Sequence, residues 1–450
     1  MPKDPIATGP LSTGGRWLIL VVSLGVTASS FSFINGVAFL IPALESERGT
    51  PLTQASLLSS MPTWGMVVTL VAWGYILDRV GERIVMTAGS ALTAAAAYAA
   101  ASVHSQVLFA VFLFLGGMAA ASCNSAGGRL VSGWFPPHQR GLAMGIRQTA
   151  QPLGIALGAF AIPELAESRP HAGLMFPAVA CTVAAVASLI GVHDPSRKSR
   201  KTATEQELAT PYRGSSVLWR IHAVSALLMM PQTVTATFMF VWLVNNLHWS
   251  VAAAAGLVTL SQMLGALGRI MVGRWSDRIG SRMRPVAIIA ATAALTLFLL
   301  AWSDYLNSSY QAPLMVAVAV IAVLDNGLEA TAITEFAGPF WSGRALGIQN
   351  TTQRLIFGAG APLFGVLISA AKYPPAWILC GLFPLIGVPL VPVRLLPPGL
   401  ETRARLQSVR RWRLWLAVRP RDLPDRSRPP DPPGQPPRPR QDGPAATPPT

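Results

Sequence analysis

Apolar runs long enough to cross about 30 Å of hydrocarbon recur from one end of the chain almost to the other. They lie near 17–42, 53–77, 83–103, 107–132, 141–163 and 172–192, and again near 217–246, 251–275, 285–303, 312–337, 344–370 and 375–394. This pattern predicts an all-α polytopic membrane protein with six spans on either side of a polar stretch. A soluble helical protein would show shorter, amphipathic runs. Many runs contain breakers such as Pro152, Gly154 and Gly158, which spans tolerate because neighbouring helices re-satisfy the freed backbone. The first run follows a short polar leader, is too long for a signal peptide and lacks a clear cleavage site, so it reads as an uncleaved span.

Composition agrees. The chain is 51% hydrophobic and only 12% charged, with a mean hydropathy of +0.44, too little charge to coat a soluble domain of this size. A net charge of +15 raises nucleic acid as a partner, but the basic residues sit in connections and in the tail rather than on one face. Placing the N-terminus inside puts Lys3, Arg16, Arg79, Arg83, Arg140, Arg197, Lys198, Arg200, Lys201, Arg213, Arg220, Arg274, Arg278, Arg282, Arg284 and Arg344 on the cytoplasmic side, against Arg48, Arg169 and Lys372 outside. That asymmetry predicts an inner (plasma) membrane protein with both termini cytoplasmic. Cys123, Cys181 and Cys380 have neither metal-ligand nor disulfide spacing and read as small buried hydrophobes. The expected organisation is a six-helix half at 1–192, a solvated linker at 193–216, a second half at 217–396 and a tail at 397–450. With fourteen prolines and eleven arginines in its 54 residues, the tail reads as disordered. Its segment Arg410, Arg411, Trp412, Arg413, Leu414 and Trp415 could lie on an anionic leaflet.

The halves are copies. Gly74, Asp78, Arg79, Gly81 and Arg83 recur 199 residues later as Gly273, Asp277, Arg278, Gly280 and Arg282. The segment from Ala143 to Gln151 recurs 202 residues later from Ala345 to Gln353. The loop pattern, present in corresponding places of a six-plus-six protein, resembles the signature of the major facilitator superfamily over about residues 16–395. Each aspartate can meet the positive end of a helix from the other half, and the resemblance implies a gate that favours the outward-open state. A loop held only by topology is the alternative.

Charges inside spans are costly and mark function by default. Arg269 lies eight residues, or about 12 Å along a helix, before Asp277. Its counterpart is Leu70, so the repeat itself needs no arginine there. With Gly265, Gly268, Gly273, Ser276, Asp277 and Arg278, it resembles the eighth span of the oxalate:formate antiporter and monocarboxylate branch, as does the connection from Trp134 to Gly141. That resemblance implies a guanidinium that binds a carboxylate, a task its bidentate geometry suits. A buried ion pair is the alternative. Arg147, Gln148 and Gln151 on the fifth span, and Gln349, Asn350, Gln353 and Arg354 on the eleventh, form two polar faces expected to converge at mid-membrane, unless the amides only glue helices. Asn35, Asn124 and Asn326 are candidates for the same cavity. Asp325 and Glu329, one turn apart on the tenth span, could carry a coupling proton or serve as fixed counter-ions to Arg269 or Arg354. Glu335 is a further candidate.

These residues predict a secondary carrier working by alternating access, coupled to protons or a counter-solute, for a small organic anion such as a carboxylate. A drug or metabolite exporter and a transport-inactive membrane sensor are the other readings. No nucleophile with an adjacent base, phosphate-cradling loop or metal cluster is visible, so neither an enzyme nor a cofactor is expected. The expected partners are the solute and the bilayer, and the expected state is a monomer.

Overall fold

The computed structural model describes residues 12–41, 43–44, 52–166, 170–196, 202–213 and 215–393. Lys3, Arg48, Arg169, the linker cluster Arg197, Lys198, Arg200 and Lys201, and the whole tail, including Arg410 to Trp415, lie outside the described residues. The chain divides into Met1–Pro397 and Pro398–Thr450, and the first unit carries the fold.

Twelve spans follow in order. In the first half they are α1 (Thr13–Gly36), α2 (Leu52–Val80), α3 (Glu82–Ser102), α4 (Gln106–Trp134), a fifth in two pieces, α5a (Arg140–Arg147) and α5b (Ala150–Ala166), and α6 (Met175–Gly191). In the second half they are α7 (Val217–Asn245), α8 (Val251–Ile279), α9 (Met283–Tyr305), a tenth in two pieces, α10a (Gln311–Ile321) and α10b (Asn326–Ala337), α11 (Ser342–Ala371) and α12 (Tyr373–Leu390). Among the described residues eleven helices are long and apolar enough to cross a bilayer; the broken fifth completes the expected twelve. Ser12, Ser105 and Ser250 start α1, α4 and α8 by accepting the backbone N–H three residues on, which satisfies a donor that no helical carbonyl reaches. Gly81 begins α3 at φ +103° and Gly280 follows α8 at φ +64°, conformations that penalise a Cβ, so both loop glycines are backbone requirements.

The outer surface is apolar. Phe160, Met271 and Val366 are 79%, 70% and 72% exposed, the arrangement of a protein whose neighbour is lipid rather than water. Inside, one apolar cluster joins the halves at the end that carries the two glycine-aspartate loops, bringing Val131, Phe135 and Met144 together with Leu218, Leu328 and Leu346. Away from that loop end each half has its own core, around Phe33, Phe109 and Leu113 in the first and Trp242, Phe364 and Trp377 in the second. The halves meet where α2 packs on α11, α8 on α5a, and α10b on α4 and α5a. They are closed at the loop end.

Part of the linker is ordered against the helices while most of its described residues stay exposed or half-buried. Thr204 caps a short helix, Glu205–Leu208, through a reciprocal pair with Glu207, and Trp341 donates its indole N–H to the Leu208 carbonyl at 3.1 Å. Tyr212 packs against Trp219 and Trp341, and its hydroxyl meets His222 Nε2 at 2.9 Å. Aromatic side chains after the acidic turn bind this part of the linker to the loop end.

Candidate solute cavity and its gate

Each loop aspartate caps a helix of the other half. Asp78 accepts the Gly343 N–H at 2.9 Å and the Arg344 N–H at 3.2 Å, at the start of α11. Asp277 accepts the Gly141 N–H at 2.9 Å and the Leu142 N–H at 2.8 Å, at the start of α5a. A carboxylate against a helix N-terminus is the favourable sense of the helix dipole, and both oxygens take charge-assisted bonds. The same seams carry glycine pairs. A Cβ on Gly74 would collide with the Gly343 carbonyl oxygen, and one on Gly273 with that of Gly141. Between the seams Ser132 donates to Thr334 at 2.5 Å; these two residues are 202 apart, so each copy meets its own counterpart there.

Arginines complete the two seams. Arg129, inside α4, pairs with Asp78 at 2.8 Å and with Glu82 at 3.4 Å, and Arg344 reaches Asp78 across the seam at 2.9 Å. Arg282 pairs with Asp277 at 2.6 Å and with Glu335 at 3.2 Å, and Arg140 reaches Glu335 across the other seam at 3.5 Å. Glu335 is therefore the shared ion-pair partner of two arginines, one from each half. Arg79 lies over the Tyr75 ring at 4.2 Å, Arg278 is exposed, and Arg83 donates to the Leu189 carbonyl at 2.7 Å. These three motif arginines stay out of the gate contacts. Asp194 accepts the Arg83 N–H at 2.8 Å, and burial raises its carboxyl above the ordinary 3.8 despite that bond.

Above the gate lies a cavity of about 60 Å³, whose lining includes Arg147, Gln148, Gln151, Arg269, Asn350, Gln353 and Arg354, with Asn124 and Asn326. That is several times the volume, about 10–15 Å³, needed to admit one water, so the chamber has room for water or a small solute. Two expected residues are elsewhere. Asn35 donates to the Phe31 carbonyl one turn back on its own helix, and Gln349 is turned toward Ser225 and Glu329 at 3.2 and 3.4 Å. Asp325 and Glu329 are buried behind the lining, 3% and 0% exposed, and among the described residues neither forms an ion pair with Arg269 or Arg354. Among the described residues, the cavity thus carries three guanidiniums and no lining carboxylate.

Those guanidiniums are held differently. Arg147 donates to Gln148 Oε1 at 2.9 Å and to the Asn124 carbonyl at 3.4 Å. Arg269 Nη1 donates to the Gln148 carbonyl at 2.9 Å and Nε to the Val323 carbonyl at 3.1 Å. Arg354 has no hydrogen-bond or ion-pair partner among the described residues and lies over the Phe31 ring at 5.6 Å. Gln232 and Thr27, which also line the cavity, were not anticipated, although Gln232 is a polar side chain in the middle of an otherwise apolar run. Arg129 was missed too, and its charge inside the fourth span was the available signal.

Residues 20–361 match the model of the Major Facilitator Superfamily. The uncharacterized MFS-type transporter Rv2994 of Mycobacterium tuberculosis is 75% identical over 410 residues, spanning 91% of this chain and 92% of its own length. The probable galactarate/D-glucarate transporter GudP of Bacillus subtilis is 21% identical over 413 residues, spanning 82% and 90%. Among solved structures, the human organic anion transporter MFSD10 superposes with a TM-score of 0.67 at 17% identity, covering 84% of this chain and 99% of its own.

Proposed function

The chain belongs to the Major Facilitator Superfamily, and we propose that it is a secondary carrier of a small organic anion, a carboxylate, moved by alternating access. The observation that carries this reading is a cavity lined by Arg147, Arg269 and Arg354 with no carboxylate among its described lining residues. Three cations in a low-dielectric chamber have an unbalanced charge that an anionic solute relieves. Arg354 offers its bidentate fork unoccupied, while Gln151, Asn350 and Gln353 supply neutral donors and acceptors beside it. The small volume favours a solute of few heavy atoms. GudP, a probable galactarate/D-glucarate transporter, points to the same chemical class of solute, and the surroundings of Arg269 resemble the oxalate:formate and monocarboxylate branch.

In this reading the loop end faces the cytoplasm, as the distribution of arginine favours, both termini lie on that side of the plasma membrane, and the closed seams make the present form outward-facing. Solute enters from outside, the halves rock, and the gate opens inward. Coupling runs through protons, with Asp325 and Glu329 as carriers, or through a counter-solute.

The test is uptake by the protein in proteoliposomes of oxalate, lactate, succinate and D-glucarate, with tetraphenylphosphonium as the cationic control. At least one carboxylate enters, and Arg354→Ala lowers its uptake about tenfold or more, chiefly by raising KM, the loss expected of one charge-assisted bond. Transport of the cation alone overturns the proposal. Asp325→Asn should abolish accumulation driven by a pH gradient while leaving solute exchange intact; unchanged accumulation removes Asp325 from the coupling path.

A further inference from the structure

The two breaks in the transmembrane helices face each other, and one side chain joins them. Pro152 has no N–H, so the Gln148 carbonyl, one turn earlier, loses its helical donor and α5a ends. The tenth span opens between Ile321 and Asn326, leaving the Val323 carbonyl without a helical donor and within reach of the Asn326 amide at 3.4 Å. Arg269 donates Nη1 to the first carbonyl at 2.9 Å and Nε to the second at 3.1 Å. Gln148 belongs to the first half, Arg269 and Val323 to the second, so a single guanidinium ties the halves together at the level of the cavity, above the Asp277 seam on the same helix pair.

The repeat shows that the fold does not require this tie. The counterpart of Arg269 is Leu70, and that of Pro152 is Arg354. The spans equivalent to the broken ones, α11 and α4, are continuous. The proline that frees a carbonyl and the arginine that takes it are both departures from the repeat, and they meet at one seam only. A backbone carbonyl is also a weaker acceptor than a carboxylate. The arginine is therefore held, in a solute-free carrier, by ligands that an anion can displace.

We propose that Arg269 is a solute-released clasp: in the empty carrier it pins the Gln148 carbonyl to the tenth-span break, and a solute carboxylate that takes its Nη edge unpins α5a from α8 and favours opening of the gate below. The solute-release step rests on the anion reading above; the clasp itself does not. A ligand shifts a two-state equilibrium only by its differential contact with the two states, and here that difference is the carbonyl bond exchanged for the carboxylate.

The full-length protein carrying Ser132→Cys, a reporter on the closed seam, is labelled with a membrane-impermeant maleimide from the loop side. Without any solute, Arg269→Leu, the residue of the other copy, raises the labelling rate about tenfold, the worth of one charge-assisted hydrogen bond. Pro152→Ala, which returns a donor to the Gln148 carbonyl, raises it by a smaller factor. In the Pro152→Ala background the effect of Arg269→Leu shrinks, because both substitutions remove the same contact. Additive effects, or no change in either single variant, overturn the clasp. Should Arg269→Leu fail to accumulate, Pro152→Ala alone decides, since it perfects a helix rather than breaking one. Oxalate, lactate, succinate and D-glucarate are then added to the wild-type reporter. A carboxylate that is taken up should accelerate labelling there and not in Arg269→Leu; uptake without acceleration overturns the release step. If none of the four is taken up, the anion reading fails, while the solute-free labelling still supports or overturns the clasp.

Discussion

The seam between α2 and α11 and the seam between α8 and α5a are copies of one another, whereas the cavity faces above them are not. In both seams an aspartate caps the opposing helix through two backbone N–H groups, two glycines let the backbones touch, and arginines cross from half to half, Arg344 at the first and Arg140 and Arg282 at the second. Above them, the repeat counterpart of Pro152 is Arg354 and that of Leu70 is Arg269. The symmetric part is made of backbone contacts that any carrier of this build needs in order to close. The asymmetric part is made of charge, and charge is what a particular solute requires. The charged surroundings of the seams also differ in number: Asp78 holds two guanidiniums and Asp277 one.

The comparison is broken most forcefully by filling a seam. Gly74→Val and Gly273→Val, the two copies of one position, each drive a branched side chain into a carbonyl that cannot move aside. Overpacking of this kind costs about 1–3 kcal/mol, which raises the open fraction of the gate roughly five- to 150-fold. Because the glycine pairs match, the two variants should agree within about threefold in the maleimide labelling of a Ser132→Cys reporter, given the scatter of such costs. A large response at one seam and none at the other would show that the copies do not share the load.

The aspartates sharpen the same comparison. Asp78→Asn leaves Arg129 with Glu82 alone and Arg344 with no carboxylate, whereas Asp277→Asn leaves Arg282 its bond to Glu335. Removing one partner of a buried ion pair costs about 3–5 kcal/mol, and a retained second carboxylate reduces that to the value of a charged hydrogen bond, about 1.5–3 kcal/mol. Asp78→Asn should therefore open the gate more than Asp277→Asn in the same assay. Equal effects would mean that the helix caps, which the two aspartates share, outweigh the arginines, which they do not.

These differences mark what sequence could and could not reveal. Span number, the repeat and the capping role of both aspartates follow from hydropathy, fixed offsets and the helix dipole, all local or periodic properties. Convergence of Arg147, Gln148, Gln151, Gln353 and Arg354 on one cavity followed from the repeat as well. What sequence left hidden depends on pairing across the interface. Arg129 shows an in-span charge, but nothing in its own helix says that Asp78 receives it. Asn35 looks equivalent to Asn124 and Asn326 until its amide turns back to Phe31. Pro152 reads as a tolerated breaker, and only the approach of α8 shows which group takes the carbonyl it frees. The break between Ile321 and Asn326 has no proline, so periodicity alone predicts a continuous span.

The smallest expected difference lies where the two loops begin their next helix. Asp194, from the far end of α6, caps α3 through the Arg83 N–H at 2.8 Å, whereas α9 is capped from within its own loop, Ser281 Oγ accepting the Arg284 N–H at 3.3 Å. Loss of either cap costs about 0.5–2 kcal/mol, but only the first responds to pH. Burial raises the Asp194 carboxyl above its ordinary 3.8, so the folded protein holds that proton more tightly than the unfolded chain. The resulting stabilisation is complete below the ordinary value and is lost as pH rises through the raised one. Thermal unfolding in detergent, followed across the acidic range, should show the wild type gaining stability on acidification relative to Asp194→Asn, which has no proton to take up at that position. Ser281→Ala should lower the midpoint by an amount that does not vary with pH. A wild type that instead loses stability relative to Asp194→Asn on acidification would mean that the bond to the Arg83 N–H outweighs burial, and that the cap works as a charged acceptor throughout.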